Sequence, residues 1–357
     1  MINLRYHIVS ITAVFLALGI GLAFGAAFID RATVGQLERN LNRIEDDNTR
    51  LESENARLQD QHDAVEAIDD ELRQNGLTEM VAGKLAGVPV LTLAVRGADE
   101  NAVDAAAAAT TAAGARSAGV LWLTERFALD DQSEVDDLAE ALGVSSGSAD
   151  GLRRTVRRQL GTLLARAALP AGGDQVEPEF DIPSTEGAVA VTGIPELLQR
   201  LVDAGFLDYE PPAAGVPEAS LFEPGAGLRM LAVSGEGAVV PDADLLVPIL
   251  SQVSSSATTG EPGPVAVAAQ RGPAFDAAPA DGDDPAADRV VFVGPIRDDD
   301  ELRARVSTVD DLESYAGLVA AVLALEHGAF GQYGHYGVGE GAQSLLPPPV
   351  DAGGTPG

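Results

Sequence analysis

A heptad repeat from Val34 to Leu72 constrains what this chain can fold into more than any other feature of its sequence. The repeat begins soon after the chain's only apolar run of membrane length. One core position, d, is filled by Leu37, Ile44, Leu51, Leu58, Val65 and Leu72. The other core position, a, is filled by Val34, Leu41, Asn48, Asn55, His62 and Asp69. Because a repeat of about 3.5 residues keeps one seam of a helix facing a partner helix, the pattern predicts a coiled coil over residues 31–75.

The residues on this seam indicate how the helices pair. Leucine at d with asparagine at a favours a parallel two-stranded coil, because paired Asn48 or Asn55 side chains can hydrogen-bond only in register. We therefore expect a homodimer or a higher oligomer. In a homodimer Asp47 would face Glu52 of the second helix, a like-charge contact, so an unidentified basic partner helix is an alternative. A lone amphipathic helix packed on its own domain is the remaining interpretation.

The apolar run before the repeat predicts a membrane anchor. Residues Ile8 to Ile29 carry no charge, and such a run can cross about 30 Å of hydrocarbon as a helix. Arg5 and the terminal amine precede it, which predicts a cytoplasmic tail over 1–7 and an extracytoplasmic remainder. A cleaved signal peptide is the alternative, since small residues near Gly25 would suit a peptidase. Our prediction is a retained signal anchor in a single-pass protein of the cell membrane.

Small residues recur along one face of this run. Ala13, Ala17, Gly21 and Gly25 stand four residues apart, and such a stripe lets two membrane helices approach closely. The residues predicted to form the oligomer contact are therefore Gly21, Gly25, Leu37, Leu41, Ile44, Asn48, Leu51, Asn55 and Leu58.

Composition narrows the classes of function. The chain has a formal net charge of −32 at pH 7 and contains no cysteine. So acidic a surface repels nucleic acid, which excludes nucleic-acid binding. The lack of cysteine removes disulfides and thiolate metal ligands.

After the heptads the pattern changes to that of an α/β domain. Val88–Val95 and Ser117–Thr124 are apolar runs that predict buried strands, and the Ala-rich stretch Ala102–Ala113 predicts the helix between them. Strand, helix and strand in one short stretch form a βαβ unit, which implies a parallel pair. Further helices are predicted at Gln132–Leu142, Gly151–Leu169, Pro195–Gly205, Ala243–Val253 and Leu312–Glu326, and further strands at Leu228–Val233, Pro264–Ala269 and Arg289–Val293. The predicted fold is an α/β, Rossmann-like domain with a parallel sheet over 77–346, followed by a disordered tail over 347–357.

One predicted helix carries a cluster of arginines that stands out on this acidic chain. The cluster consists of Arg153, Arg154, Arg157 and Arg158. We interpret it as a salt-bridged face, with contact to an anionic partner as the alternative.

Segments near the two ends of the chain carry a family resemblance. The first ten residues read MINLRYHIVS and lead into the apolar run. Near the other end, VSTVDD occupies Val306–Asp311 and GQYGHYG occupies Gly331–Gly337. In these motifs, and in its order of anchor, coil and α/β body, the chain resembles the actinobacterial copper transporter MctB family. The resemblance implies a role in copper efflux and copper homeostasis, with copper as a ligand and with an outer-membrane location as part of a channel.

The chain offers few residues for a copper site. Copper sites draw on Cys, Met and His, and the chain has four scattered histidines. His327 and His335, which flank a Gly-rich turn, form the candidate metal pair; the alternative is that each satisfies only local hydrogen bonds. Glycines at 331, 334 and 337 are predicted to free the backbone of this turn for positive φ.

No catalytic residue is predicted. The chain lacks the nucleophile-elbow, zinc-protease and phosphate-loop motifs. Ser307, Thr308 and Asp310 are chemically capable, but this pattern is also typical of a helix N-cap, here before Leu312, which is our interpretation. Two functions remain: an envelope protein of copper homeostasis, or a non-catalytic dimeric scaffold, anchored to the membrane, that binds a partner.

Overall fold

A computed structural model describes residues 4–169, 195–212, 219–235, 238, 242–255, 263–272 and 292–349. The chain divides into two compact units, residues 1–68 and residues 69–357.

The first unit consists of one long helix, α1. This helix spans Leu4–Asn75 and so ends a few residues inside the second unit. Its stretch Arg5–Gly25 has a mean hydropathy of 2.3, none of it is buried within the chain, and it is long enough to cross a membrane. The segment predicted as a coiled coil, 31–75, is helical as expected, and its pairing with a second helix stays a prediction.

The second unit alternates helices and strands, as the sequence predicts. Its helices after α1 are α2 (Leu77–Val81), α3 (Glu100–Ala112), α4 (Gln132–Ala141), α5 (Ala149–Ala168), α6 (Glu196–Asp203), α7 (Asp242–Ser254), α8 (Val293–Asp298), α9 (Asp300–Arg303) and α10 (Tyr315–Gly328). Its strands are β1 (Pro89–Val95), β2 (Arg116–Leu123), β3 (Leu207–Glu210), β4 (Arg229–Ser234), β5 (Ala266–Gln270), β6 (Ser307–Val309) and β7 (His335–Tyr336). Short 3₁₀ turns lie at Glu125–Ala128 and Ala219–Phe222.

These strands form a seven-stranded sheet in the order β3-β2-β1-β4-β5-β6-β7. All neighbours are parallel except β3, which runs antiparallel to β2 at one edge. The predicted βαβ unit is confirmed as β1-α3-β2. The parallel-sheet α/β class is therefore confirmed as well.

Helices cover both faces of the sheet. Successive side chains of a strand point to opposite faces, so Leu91 and Leu93 of β1 enter one core and Val90 and Ala94 enter the other. Residues of α4 to α9 complete the first core, and residues of α2, α3 and α10 complete the second. Strands buried on both faces explain why the predicted runs are continuously apolar.

Two sequence predictions near the carboxyl end are wrong where the structure can test them. Val293, placed in a predicted strand over 289–293, begins α8; residues 289–291 lie outside the described residues. The buried Oε1 of Gln270 accepts the N–H groups of Phe292 and Val293, at 3.2 and 3.0 Å, which directs the chain into a helix.

The predicted helix N-cap is the second correction. Ser307 and Thr308 lie in β6. The helix begins only at Tyr315, after Ser314, whose Oγ accepts the N–H of Gly317 at 2.9 Å. A strand of three residues gives no recognisable period, so the Ser-Thr pattern alone does not distinguish this strand from a cap.

Candidate functional site

The two signature segments near the carboxyl end of the chain lie side by side in the sheet. VSTVDD supplies β6 and GQYGHYG supplies β7, and the strands pair with Thr308 opposite His335 and Val309 opposite Tyr336. The N–H of Thr308 donates to the carbonyl of Gly334 at 3.0 Å. The sequence identifies both segments, but only the fold brings them together.

A buried ion pair joins these strands to α8. Arg297 Nη1 lies 2.8 Å from Asp310 Oδ2, and the two side chains are 4% and 0% exposed. The second carboxylate oxygen accepts the N–H groups of Val338 and Gly339, at 2.7 and 3.1 Å. Arg297 Nη1 also donates to the carbonyl of Glu340 at 2.6 Å. A buried ion pair is tolerated only when further hydrogen bonds satisfy both charges, and that condition is met here.

A chain of hydrogen bonds continues from this ion pair to His335. Arg297 Nε donates to Thr308 Oγ1 at 2.8 Å, and Thr308 Oγ1 lies 2.9 Å from His335 Nδ1. His335 Nε2 lies 3.1 Å from the carbonyl of Arg303, which can only accept. The ring must therefore carry its proton on Nε2, and Nδ1 accepts the Thr308 hydroxyl proton.

The surroundings of His335 keep its ring neutral. The residue is 2% exposed. Burial, followed by the nearby charge of Arg297, lowers the pKa of His335 from 6.5 to about 4. At neutral pH the network contains the charges of Arg297 and Asp310 and an uncharged imidazole.

The glycines of GQYGHYG serve different purposes. Gly331 and Gly337 have φ of +68° and +127°, so the predicted positive φ is confirmed for them. The prediction is wrong for Gly334, which is not among the positive-φ glycines; a Cβ there would collide with the hydroxyl of Tyr336. Close approach, rather than backbone angle, requires the middle glycine.

The predicted metal pair occupies two different environments. His327 lies on α10, is 3% exposed, and has its pKa lowered, chiefly by burial. Its ring makes no hydrogen bond to the described residues, whereas both ring nitrogens of His335 are engaged. Among those residues no group of three or more His, Cys, Asp or Glu side chains could hold a metal ion. The two-histidine site stays a prediction, in which His327 has the freer ring.

The crevice at the carboxyl ends of β1 and β4 is where many doubly wound sheets bind a nucleotide. Here Asp99 caps α3 and pairs with Arg271, with Oδ2 and Nη1 3.0 Å apart. Gly235 approaches so closely that a Cβ there would lie 3.0 Å from the backbone nitrogen of Asp99. A partly exposed ion pair of the chain itself thus lies in this crevice.

The predicted oligomer residues lie exposed on α1. Leu41, Ile44, Leu51 and Leu58 are 52–65% exposed, and Leu37 lies outside the described side chains. Asn48 and Asn55 are exposed as well, and Asn48 Nδ2 donates to Glu52 Oε1 at 3.2 Å. A Cβ added at Gly21 or Gly25 would meet nothing within 4 Å. Among the described residues, no packing requires the described members of this set.

Comparison with known proteins agrees with the motifs. The sequence profile described as "Copper transport outer membrane protein, MctB" matches residues 1–222 and 226–347. The protein named copper transporter MctB from Mycobacterium tuberculosis (strain ATCC 25618 / H37Rv) is 26% identical over 364 residues, covering 97% of this chain and 99% of the relative. The protein of the same name from Mycobacterium leprae (strain TN) is 29% identical over 357 residues, covering 98% of this chain and 100% of the relative. The chain, with its anchor-like helix and the joined β6 and β7 motifs, therefore belongs to the MctB family.

Proposed function

We propose that this chain takes part in copper transport in the cell envelope, as a protein of copper efflux and homeostasis. The family match over nearly the whole chain carries the proposal. The names of its relatives are those of transporters rather than enzymes. The polar residues of β6 and β7 are bound to one another in a buried network, so we assign them no catalytic role.

The apolar part of α1 is proposed as a single-pass anchor, with residues 1–7 in the cytoplasm and the domain over 77–346 outside. An outer-membrane location, which the family description names, is the alternative. A single helix in each chain cannot enclose a pore, so a channel would need several copies. A reporter fused after Asp30 should be active only outside the inner membrane; activity in the cytoplasm would reverse the orientation.

We also propose that copper contacts the α/β unit at His327, with His335 as a second ligand. Both pKa values are lowered, so both rings are in the neutral form that binds metals. His335 can bind only by releasing Thr308 or the carbonyl of Arg303. The two-ligand site is therefore expected to be weak and to favour transfer over storage.

Growth and titration test these two statements separately. Deletion of the gene should make cells more sensitive to copper, and the intact gene should restore growth; equal tolerance would refute the copper role.

The full chain in detergent would be titrated with Cu(I) and Cu(II) beside His327→Gln, His335→Gln and the exposed control His62→Gln. Loss of binding in the first two alone is expected. Equal binding by all four proteins would remove the site and leave the growth result standing.

The exposed seam of α1 favours a second, compatible function, that of a dimeric scaffold. Large apolar side chains recur there over many turns, and water contact along such a row is unfavourable unless a partner covers it. A second copy of the chain is the occupant we propose, because leucine at d with asparagine at a pairs best with itself in register.

Matched substitutions test this pairing. Leu51→Gln with Leu58→Gln should convert the full chain in detergent from a dimer or larger species into a monomer in sedimentation. Arg50→Gln with Arg57→Gln changes the same turns away from the seam and should leave the dimer intact. A wild-type chain that sediments as a monomer would contradict the proposal.

A further inference from the structure

Three of the four arginines in the α5 cluster line a cleft that the proposed function does not use. The cleft has a volume of about 470 Å³ and lies between α5, the start of α7 and the 3₁₀ turn at Glu125–Ala128. Its charged lining residues are Asp150, Arg153, Arg154, Arg157 and Asp244. Three cations and two carboxylates give this lining a local excess of positive charge on a chain whose net charge is −32.

One of the three arginines has a structural role. Arg153 Nε donates to the carbonyl of Phe127 at 3.0 Å, and Nη2 donates to the carbonyl of Ala128. Arg153 Nη1 pairs with Asp150 Oδ1 at 3.0 Å. This arginine fastens the 3₁₀ turn to α5 and so fixes one wall of the cleft. The prediction of a salt-bridged helix face is thus confirmed for Arg153.

The other two arginines have N–H donors without acceptors among the described residues. Arg154 and Arg157 form no hydrogen bond or ion pair with the described residues, and Arg154 is exposed. The Nε of Arg157 is buried without a hydrogen-bond partner. Burial lowers the pKa of Arg157, and Asp244 is the carboxylate that most opposes this effect. A buried charged donor without an acceptor is costly, and an anion in the cleft that Arg157 lines would offset part of that cost through its charge.

The two helices that form the cleft also present their positive ends to it. Gly161 of α5 packs against Gln252 of α7, where a Cβ would lie 2.6 Å from that side chain's Cβ. Four residues earlier on α5, Arg157 shares the cleft with Asp244, in the first turn of α7. The helices therefore run in the same direction, and the N-terminal turns of both lie at the cleft. Each N-terminus adds about half a positive charge.

We propose that this cleft binds an oxyanion group, a phosphate or a carboxylate, through the guanidinium groups of Arg154 and Arg157. Guanidinium is planar and offers paired donors that match both kinds of group. Phe127 and Leu245 supply an apolar wall for whatever carries the anion. On so acidic a chain, general electrostatic attraction for anions is absent, so binding must come from the site itself. Copper cations would not be drawn to it, and the proposal is independent of the copper role.

Titration of the full chain in detergent tests the site. Inorganic phosphate and acetate would be added at constant ionic strength, with binding measured by calorimetry and by the midpoint of thermal unfolding. A bound anion stabilises the folded state by mass action, so the midpoint should rise with anion concentration. Phosphate acting more strongly than acetate would identify a phosphate group as the ligand, and the reverse would identify a carboxylate.

Substitutions on neighbouring positions of the same helix provide the control. Arg154→Gln with Arg157→Gln should weaken binding at least tenfold, and the exposed Arg154→Gln alone should weaken it several-fold while leaving the fold unaffected. Arg158→Gln removes one positive charge next to the cleft without touching its lining, and should bind as the wild type does. The proposal is overturned if neither anion binds the wild-type chain, or if the double variant binds as tightly as the wild type. It is also overturned if Arg158→Gln loses as much affinity as the double variant.

Discussion

Lowering the pH from 6.5 to 4 is expected to destabilise the α/β unit by about 3 kcal/mol through one side chain, His335. Burial and the charge of Arg297 hold its pKa at about 4 in the folded chain, against 6.5 for an unperturbed imidazole. Between these values the unfolded chain binds a proton that the folded chain does not. Stability is therefore complete above pH 6.5 and is lost as the pH falls through the folded pKa.

The size of the effect follows from the width of this window. Each pH unit inside it costs about 1.4 kcal/mol, and the window from 6.5 to about 4 spans roughly 2.5 units, which gives about 3 kcal/mol. In structural terms, a proton on Nδ1 would face the Thr308 hydroxyl, which already accepts a hydrogen bond from Arg297. Protonation would replace a good acceptor with a second donor at that point.

Urea unfolding at a series of pH values, followed by tryptophan fluorescence, measures this loss. Trp122 is the only tryptophan in the sequence and is 1% exposed in β2, so its signal reports the second unit. His335→Gln cannot take up a proton. The difference in free energy of unfolding between wild type and variant should shrink by about 3 kcal/mol from pH 6.5 to 4. Protonation of carboxylates affects both proteins equally and cancels in this difference.

His327 is the second buried histidine, and its lowered pKa also makes the free energy of unfolding decrease as the pH falls. His327→Gln removes this second contribution, so that variant should keep the part of the pH dependence that comes from His335. Parallel stability curves for wild type and His335→Gln across the window would refute the reasoning, because they would show that His335 has the same pKa in the folded and unfolded chains.

Three further predictions concern single positions. Asp310→Ala should lower the free energy of unfolding by about 3–5 kcal/mol, because it leaves Arg297 charged and buried without its partner; urea unfolding measures this, and a loss below about 1 kcal/mol would contradict it. Gly161→Ala should cost about 1–3 kcal/mol in the same assay, since the added Cβ would lie 2.6 Å from that of Gln252; an unchanged urea midpoint would show that α5 and α7 can separate freely. Asp311→Asn should raise the midpoint, because burial raises the pKa of Asp311 and asparagine accepts its φ of +59° equally well; a lower midpoint would show that the charge is needed.

The first half of the sheet could be predicted from the sequence. Val88–Val95 reads as a buried strand and the structure has β1 at Pro89–Val95; Ala102–Ala113 reads as a helix and the structure has α3 at Glu100–Ala112. Parallel strands covered on both faces must be apolar throughout, and that requirement leaves an unmistakable local pattern.

The second half could not be predicted because its pattern is not local. β6 and β7 contain three and two residues, and Ser307, Thr308 and His335 are polar yet buried. Thr308 and His335 can be buried because Arg297 and Arg303, from helices that precede β6, supply hydrogen-bond partners, and Ser307 can be buried because its Oγ accepts the N–H of Gly334. No rule based on hydrophobic periodicity detects strands of this kind. The family resemblance identifies both motifs but does not explain their buried polar residues.

For the arginine cluster the sequence leaves two interpretations open, and the structure confirms the salt-bridged one for Arg153. Arg153 forms the salt bridge that a helix face predicts, with Asp150 three residues before it. Arg154 and Arg157 look identical to it in the sequence, yet the described carboxylates leave them unpaired. The difference arises from where α7 and the turn at Glu125–Ala128 pack, which only the fold determines.

The buried network explains how the family motifs relate to copper. Both ring nitrogens of His335 and the charges of Arg297 and Asp310 are already satisfied within the protein, so the motif residues hold β6, β7 and α8 together. Arg297, Thr308 and Asp310 therefore affect function through the amount of folded protein. Variants of these three residues should reduce copper tolerance only as far as they reduce folded protein, whereas variants of the exposed seam on α1 should reduce it with the α/β unit intact. The surfaces that are free to act, the seam and the cleft on α5, lie outside the motifs by which the family is recognised.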